Sequence, residues 1–232
     1  MTTQTSIHLK QVSVIGFDTT YIKKLEVLFK NFLKQNESDT AHDLAHIQRV
    51  VTNAKKLLEQ EDSADYLITI SAAWLHDCVV LPKNHPERKK ASILAANKAS
   101  QFLSETDFPS EKISAVAHAI ESHSFSAGIK PATHEAEIVQ DADRLDALGA
   151  IGIARCFMVG GTMERPLYNP EDPFCESREP DDSKWNIDHF YQKLFRLPEL
   201  MNTISAKKEA ERRVGLMKLY LAELRKETDF KT

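Results

Sequence analysis

Apolar residues recur along most of the chain at intervals of three and four, which is the spacing of one face of an α-helix. The clearest stripes lie in five stretches, at 21–33, 44–58, 92–103, 113–120 and 138–148. The chain has only seven glycines, and no segment of it is repeated. The pattern therefore predicts an all-α fold.

The stretch 67–75 is apolar without a clear polar face. A helix of this kind is usually buried in a core. It is followed by His76 and Asp77, two side chains that can bind metal, and a buried charge needs a partner or an ion. A polar helix end with a capping aspartate explains the same pair. Taken alone, the dipeptide favours that simpler interpretation.

Two regions lack helical periodicity. The first 16 residues are mostly polar and predict a loose or extended arm, and 161–185 is rich in Pro, Asp and Glu. A connector of that length is usually a functional lid or disordered. We expect the glycine pair 160–161 to end the helix before it. A short helix over 187–197 and a long final helix over 200–226 are expected to follow.

The final helix carries a packing seam. Its apolar residues are spaced by three and four, at Val214, Met217, Leu221 and Leu224. We expect this seam to pack within the chain, and a homodimer built on it is the alternative.

The composition is that of an ordinary globular protein, with 42% hydrophobic and 28% charged residues among 232. The net charge of −4 gives no general attraction to nucleic acid or anionic lipid. No run approaches membrane-spanning length, and the first residues contain no apolar signal segment. Three cysteines without C-x-x-C spacing fit a reducing compartment. We therefore expect a cytoplasmic protein with no nucleic-acid or membrane partner.

Three short motifs change the interpretation of the His76-Asp77 pair. His46 opens the motif H-x-x-R-V. His76 and Asp77 end L-H-D, and Asp143 stands in A-D-R-L. This set resembles the HD-domain superfamily of metal-dependent phosphohydrolases, and most closely its bacterial YedJ-like branch. The likeness to that branch includes the segments 84–88, 123–126 and 139–155.

The resemblance implies a single HD-domain helical bundle over 17–232, preceded by the N-terminal arm. Its core is expected to span about 40–160, followed by the irregular loop 161–185 and additional C-terminal helices over 186–227. Because the likeness persists weakly at 171–174, we expect this loop to be an ordered cover over the site.

By the same resemblance, the metal ligands are His46, His76, Asp77 and Asp143. Two nitrogens and two carboxylate oxygens suit one divalent ion such as Mn²⁺, Fe²⁺, Co²⁺, Ni²⁺ or Zn²⁺, whereas all-oxygen sites suit Mg²⁺ better. The identity of the ion stays open, Mg²⁺ included. Asp141 and Asp146 lie on the same predicted helix as Asp143 and are alternatives to it, Asp141 the stronger one.

A cationic loop follows the metal pair directly. It contains Lys83, Asn84 and Arg88, and charge runs of this kind are most often solvated surface. Arginine binds phosphate through two hydrogen bonds and lysine acts as a point charge, so we expect at least one of them to contact phosphate. Arg144 is expected either to pair with the carboxylates beside it or to contact phosphate.

Two histidines close to the end of the helix that begins near Pro109 are candidates for catalysis. His123 is expected to contact substrate or transfer a proton, and His118 is the weaker candidate. They are five residues apart, about 140° around a straight helix, so they face one site only if His123 lies beyond the helix end. Their spacing does not clearly supply a second metal site, and we expect one ion. Asp77 counts as catalytic too, through that ion.

These residues together predict an enzyme that hydrolyses a phosphate ester or anhydride by attack of metal-bound water. The resemblance implies a nucleotide-like substrate, which is a nucleoside mono- or triphosphate, with release of pyrophosphate as one option. The alternative is a non-catalytic HD module that binds metal and nucleotide and signals through a partner. Such modules typically lack a ligand, and here all four ligand types are present.

Overall fold

The helical spacing of apolar residues is realised in the computed structural model, which describes residues 19–35, 44–81 and 85–228. No strand occurs among these residues, and the prediction of an all-α fold is confirmed. In this part of the chain the helices are α1 (Thr19–Lys34), α2 (Leu44–Leu58), α3 (Tyr66–Leu75), α4 (Ala91–Ser104), α5 (Ile113–His123), α6 (His134–Asp146), α7 (Gly149–Thr162), α8 (Asp188–Gln192) and α9 (Ile204–Thr228).

Helix α3 is the buried helix that the apolar run predicts. Every residue from Leu67 to Leu75 is buried, and the helix contacts α1, α2, α5 and α6. Asp65 fixes its first turn, because its Oδ1 accepts a hydrogen bond from the backbone N–H of Ile68 at 3.1 Å. A helix with neighbours on all sides needs no polar face, which explains its composition.

Four helix ends meet at one place in the bundle. The first turn of α2 lies against the last turn of α6, since these two helices pack on each other, and the C-terminal ends of α3 and α5 adjoin them. His46 lies in that first turn of α2, His76 directly follows α3, and His123 is the last residue of α5. The fold therefore collects side chains that are far apart in sequence.

Helix α7 continues through Gly160 and Gly161 to Thr162, so the predicted helix end at this pair is wrong. The reason is packing. A Cβ on Gly160 would lie 1.7 Å from Oδ1 of Asn186, so only glycine fits where the two segments touch. Gly160 therefore marks a close approach between backbone and side chain rather than a helix stop.

The long irregular segment predicted over 161–185 is found as the connection 163–187, which contains no regular element. Backbone hydrogen bonds join its two ends, from Asn186 N to Pro166 O at 3.1 Å and from Ile187 N to Leu167 O at 3.0 Å. Arg178 pairs with the buried carboxylate of Asp188, with Nη2 donating to Oδ1 at 2.8 Å. Internal bonds thus order the segment without a helix.

The C-terminal helices differ in detail from their predicted bounds. The helix expected over 187–197 is split into the five-residue α8 and a 3₁₀ stretch, Leu194–Leu200. The final helix begins at Ile204 rather than at residue 200. Its apolar seam packs within the chain as expected, and Met217 at its centre is completely buried.

The N-terminal arm lies outside the described residues. Among those that are described, no single helix has both the length and the hydropathy needed to cross a membrane. Taken together, α6 and α7 have the length and composition needed to cross a membrane, but the chain bends by 66° between them.

Candidate metal centre

Two imidazole rings from different helices face each other at the meeting point of the helix ends. Nε2 of His46 lies 3.3 Å from Nε2 of His76, and both rings are buried, at 2% and 0% exposure. Burial lowers the pKa of His76 from 6.5 to about 4. His76 is therefore neutral at pH 7, which is the form that binds metal ions.

The other nitrogen of each ring is already engaged. Nδ1 of His46 donates to Oδ2 of Asp146 at 2.8 Å, and Nδ1 of His76 donates to the carbonyl oxygen of Ala73 at 2.8 Å. In the neutral rings, both Nε2 atoms therefore carry lone pairs, and these lone pairs face each other across 3.3 Å. Such an arrangement is repulsive by itself and becomes favourable around a cation. The donor set therefore fits a metal ion.

Two carboxylates complete the cluster. Oδ2 of Asp77 lies 3.7 Å from Nε2 of both His46 and His76, and Oδ1 of Asp143 lies 3.5 Å from Nε2 of His46. His46, His76 and Asp77 offer ligand atoms within 4.8 Å of one another. The structure thus brings together the four residues predicted as ligands, and this cluster could hold a metal ion. The assignment of each residue as a ligand stays a prediction.

Asp146 holds His46 in place from behind the cluster. Its carboxylate is buried and accepts hydrogen bonds from His46 Nδ1, from Arg49 Nε at 2.7 Å and from Arg155 Nη1 at 2.5 Å. Burial acts to raise the pKa of Asp146, but these donors outweigh burial and hold the pKa far below its ordinary value. Asp146 is therefore a charged partner of His46 whose oxygens are already in use.

Asp141 lies away from the cluster, although it was the stronger alternative to Asp143. Its buried carboxylate accepts hydrogen bonds from Asn202 N at 2.9 Å, Thr203 N at 2.8 Å and Thr203 Oγ1 at 2.9 Å. These residues directly precede α9. Asp141 therefore anchors the start of that helix, and the neighbour of the cluster is Asp146.

A cavity of roughly 280 Å³ opens on the cluster. Three cationic side chains line it, Arg88, Arg144 and Arg155. Arg88 is tied to the chain by a hydrogen bond from Nη1 to Leu81 O at 2.9 Å. Arg144 donates to Leu200 O and lies 4.0 Å from Asp141. An anionic ligand beside the cluster would therefore meet three guanidinium groups. The other two predicted phosphate contacts, Lys83 and Asn84, lie outside the described residues.

The two candidate catalytic histidines occupy different surroundings. His123 lines the cavity, and its Nε2 lies 3.5 Å from Oδ1 of Asp77 while Nδ1 donates to Ile120 O at 2.6 Å. Burial acts to lower the pKa of His123, but Asp77 outweighs it and the pKa is raised. His118 accepts a hydrogen bond from Ala132 N at 2.9 Å and does not line the cavity. Only His123 is therefore brought to the cluster.

Arg155 is the cavity residue that the sequence interpretation missed. It comes from α7 and reaches Asp146 nine positions earlier in the chain. A signal was available, because Arg155 is the only charged residue in the apolar stretch 149–159. Its role could not be assigned, since the turn between α6 and α7 decides which way the side chain points.

The chain matches the family described as HD domain over residues 43–148. This region contains the whole four-residue cluster. The protein YpgQ of Bacillus subtilis (strain 168) is 32% identical over 195 residues, which cover 82% of this chain and 86% of YpgQ.

Solved structures show the same architecture. A crystal structure of Bacillus subtilis YpgQ in complex with ADP has a TM-score of 0.67 at 31% identity, and the match covers 90% of this chain and 96% of that one. An HD-superfamily hydrolase from Bacillus thuringiensis has a TM-score of 0.68 at 36% identity, covering 91% and 98%. Membership of the YedJ-like branch stays a prediction. The order of the motifs, the convergence of their side chains and these likenesses together establish that the chain belongs to the HD-domain family and has the fold of the HD-superfamily hydrolases.

Proposed function

We propose that this protein is a metal-dependent phosphohydrolase acting on a nucleotide-like substrate. The observation that carries the proposal is the pair of facing Nε2 atoms, flanked by two carboxylates, at the base of a cavity lined by arginines. His46, His76, Asp77 and Asp143 would hold one divalent ion. Such an ion polarises a phosphoryl oxygen and lowers the pKa of a water molecule.

The arginines supply the binding of the anion. The cavity that contains the cluster is also lined by Arg88, Arg144 and Arg155. The arginines can therefore bind the non-reacting phosphate oxygens while another phosphate oxygen lies beside the carboxylates of the cluster. Charge-assisted hydrogen bonds from guanidinium to phosphate are stronger than neutral ones and fix orientation. These side chains therefore position the phosphorus atom against the cluster.

His123 is suited to proton transfer. Its Nδ1 is used by Ile120 O, so Nε2 is the atom that gains or loses a proton. That atom lies beside Asp77 and on the cavity wall, and Asp77 raises the pKa of the ring. In this proposal Nε2–H of His123 donates its proton to the leaving oxygen. His118 contributes indirectly, by holding the backbone at Ala132.

The nucleotide-like character of the substrate is supported by the ADP complex of YpgQ. A nucleoside monophosphate and a triphosphate both remain candidates, the latter cleaved at the terminal phosphate or with release of pyrophosphate. A panel of nucleoside mono-, di- and triphosphates with added Mn²⁺ tests the proposal, provided that each product is identified.

Three further measurements make that experiment decisive. We expect turnover to be lost with EDTA and in Asp77→Ala, and kept in Asp62→Ala, which removes an exposed aspartate instead. Turnover that survives both EDTA and Asp77→Ala would exclude the proposal. Nucleotide binding without turnover, under all tested divalent ions, would support the non-catalytic module instead.

A further inference from the structure

A second cavity of roughly 230 Å³ adjoins the first. The two cavities share Ala147 and Arg155 in their walls. One face of α7 forms much of the second cavity, because four of its lining residues follow the helical spacing of three and four. These residues are Gly152, Arg155, Cys156 and Val159.

The walls of this second cavity suit a flat, weakly polar group. Most of the lining is apolar, with Leu194 and Val159 among its members, and none of the described carboxylates lines it. Its polar members are His189 and two arginines, Arg155 and Arg165. Gly152 lets α7 lie close against Ala147, because a Cβ there would lie 2.2 Å from the carbonyl oxygen of Ala147. A fully polar ligand such as a free sugar would place part of its hydroxyl groups against the apolar lining, where they have no hydrogen-bond partner.

Both a hydrogen-bond donor and an acceptor are nevertheless present. His189 lines the cavity and uses Nδ1 to donate to Oδ2 of Asp182 at 2.8 Å, so Nε2 of the neutral ring is an acceptor. Burial lowers the pKa of His189, which favours that neutral form. Arg155 supplies donor groups only. An aliphatic chain would use neither residue, whereas a heterocycle with oxo and N–H groups can use both.

Arg155 stands where the cavities adjoin. Its Nη1 is bonded to Asp146, while Nε and Nη2 form no hydrogen bond within the described part of the chain. About a third of the side chain is exposed, at 32%. The free edge of the guanidinium group is therefore available to a ligand that passes from one cavity into the other.

We propose that the second cavity binds the heterocycle of a nucleotide whose phosphates occupy the metal cavity, with Arg155 contacting the ligand at the junction. This inference rests on the proposed function for the phosphate end alone. It adds a recognition site, which selects a nucleotide over a bare phosphate compound. The selecting residues are those of α7 together with His189.

The first test compares ADP with inorganic pyrophosphate, which carries a diphosphate but no heterocycle. Binding of both is measured by calorimetry with Mn²⁺ in the wild type, in Val159→Phe and in Met158→Phe. Val159 lines the cavity, whereas Met158, its neighbour on α7, is 72% exposed. We expect Val159→Phe to lower the affinity for ADP by about tenfold or more and the affinity for pyrophosphate by less than about twofold, because a filled pocket excludes only the heterocycle. Met158→Phe should change neither.

A second measurement uses the unmodified protein and so does not depend on the folding of a variant. Cys156 lines the second cavity and Cys175 does not, and burial raises the pKa of each thiol to about 11. The two thiols are thus a matched pair for alkylation by iodoacetamide at alkaline pH. Saturating ADP should slow alkylation of Cys156 and leave Cys175 unchanged, while pyrophosphate should protect neither.

The outcomes separate this inference from the proposed function. If the wild type turns over no nucleotide, yet prefers ADP to pyrophosphate and loses that preference in Val159→Phe, the hydrolase proposal fails and the heterocycle site stands. If the wild type binds ADP no more tightly than pyrophosphate, the heterocycle site is excluded whatever the enzyme hydrolyses. The heterocycle site would also be excluded if a folded Val159→Phe variant lost affinity equally for both ligands, or if ADP did not slow the alkylation of Cys156.

Discussion

The orientation of His46 depends on one carboxylate. Asp146 accepts the Nδ1–H of His46 and is itself held by Arg49 and Arg155. A ligating histidine whose second nitrogen donates to a carboxylate is fixed in one tautomer and becomes a better ligand. The same interaction keeps Nε2 directed at His76.

Replacing Asp146 with asparagine should therefore weaken metal binding without removing any ligand. The amide is neutral, so Arg49 and Arg155 lose their charged partner and His46 loses the charge that supports its tautomer. We expect affinity for Mn²⁺ to fall by about 10- to 100-fold. Competition with a fluorescent chelator measures this fall.

Asp62→Asn, which changes an exposed aspartate, is the matched control and should bind Mn²⁺ as the wild type does. Unchanged affinity in Asp146→Asn, with the fold intact by circular dichroism, would show that the carboxylate does not support the metal ligand.

The sequence alone predicted the cluster residues better than their supports. The adjacent His76 and Asp77 at the end of an apolar run are ambiguous alone, and the order of the three motifs is what predicted the cluster. Asp141, Asp143 and Asp146, by contrast, share one helix with similar surroundings in the sequence. Asp141 bonds the residues just before α9, whereas Asp143 and Asp146 both approach His46 of α2, and Asp146 also bonds Arg155 of α7. Only the packed structure shows these differences.

At the level of elements, Asp141 joins the end of the irregular C-terminal region to the bundle. Its carboxylate accepts hydrogen bonds from the backbone of Asn202 and Thr203 and from the Thr203 hydroxyl, immediately before α9. A carboxylate in this position accepts hydrogen bonds from N–H groups that the helix leaves unpaired, and its negative charge interacts favourably with the helix dipole.

Asp141→Ala should consequently destabilise the protein while leaving the metal cluster intact. Its loss leaves buried donors of Asn202 and Thr203 without partners, which costs about 2–4 kcal/mol of unfolding free energy. Urea denaturation gives that value, and metal analysis of the purified variant gives the occupancy. Lost metal in a folded Asp141→Ala protein would show that Asp141, not Asp143, belongs to the metal centre.

The connection 163–187 depends on a buried ion pair. Asp188 has a fully buried side chain, and Arg178 bonds both of its oxygens. Burial acts to raise the pKa of Asp188, but the hydrogen bonds from Arg178 outweigh burial and the pKa is lowered. A lowered pKa means that the pair stabilises the fold above the unfolded-state pKa of about 3.9, and that this contribution is lost as the pH falls further.

Arg178→Ala should therefore lower the unfolding free energy by about 2–4 kcal/mol at pH 7, since it leaves Asp188 charged and buried. The difference from the wild type should shrink below about pH 4, where Asp188 becomes protonated in the unfolded chain. Arg212→Ala provides the control, because Arg212 also makes two bonds to a carboxylate but is 67% exposed. Arg212→Ala should lower the unfolding free energy by less than about 1 kcal/mol. Equal losses in the two variants, or a difference that does not depend on pH, would contradict this account.

Helices were easier to predict than their ends. The apolar spacing in 44–58 and 138–148 is a property of each segment and survives folding as α2 and α6. The end of α7 depends on a contact between Gly160 and Asn186, and the 3₁₀ stretch Leu194–Leu200 contains Pro198, which cannot donate to a helical hydrogen bond. Such boundaries are set by partners distant in sequence or by a missing donor.

For the whole molecule, the candidate metal centre is a junction between helices. His46 belongs to α2, His76 and Asp77 follow α3, and Asp143 belongs to α6. Physical reasoning from the sequence predicted that the His76-Asp77 pair needs a partner, but the partners were found through the order of the family motifs. The local patterns around His46 and Asp143 do not indicate that these two residues, 97 positions apart, lie close together in the fold.

Because its ligands come from three parts of the chain, an ion bound at this junction should stabilise the entire fold. The unfolded chain holds the ligands apart and binds the ion weakly, so an ion at 100 times its Kd contributes about 2.7 kcal/mol. For a chain of this size we expect Mn²⁺ to raise Tm by about 5–10 °C relative to EDTA. Differential scanning fluorimetry measures the shift, and Asp77→Ala should show almost none.

A shift of equal size in Asp77→Ala would mean that Mn²⁺ acts elsewhere on the protein. A shift restricted to the wild type would show that the ion acts through the predicted cluster, which joins α2, α3 and α6.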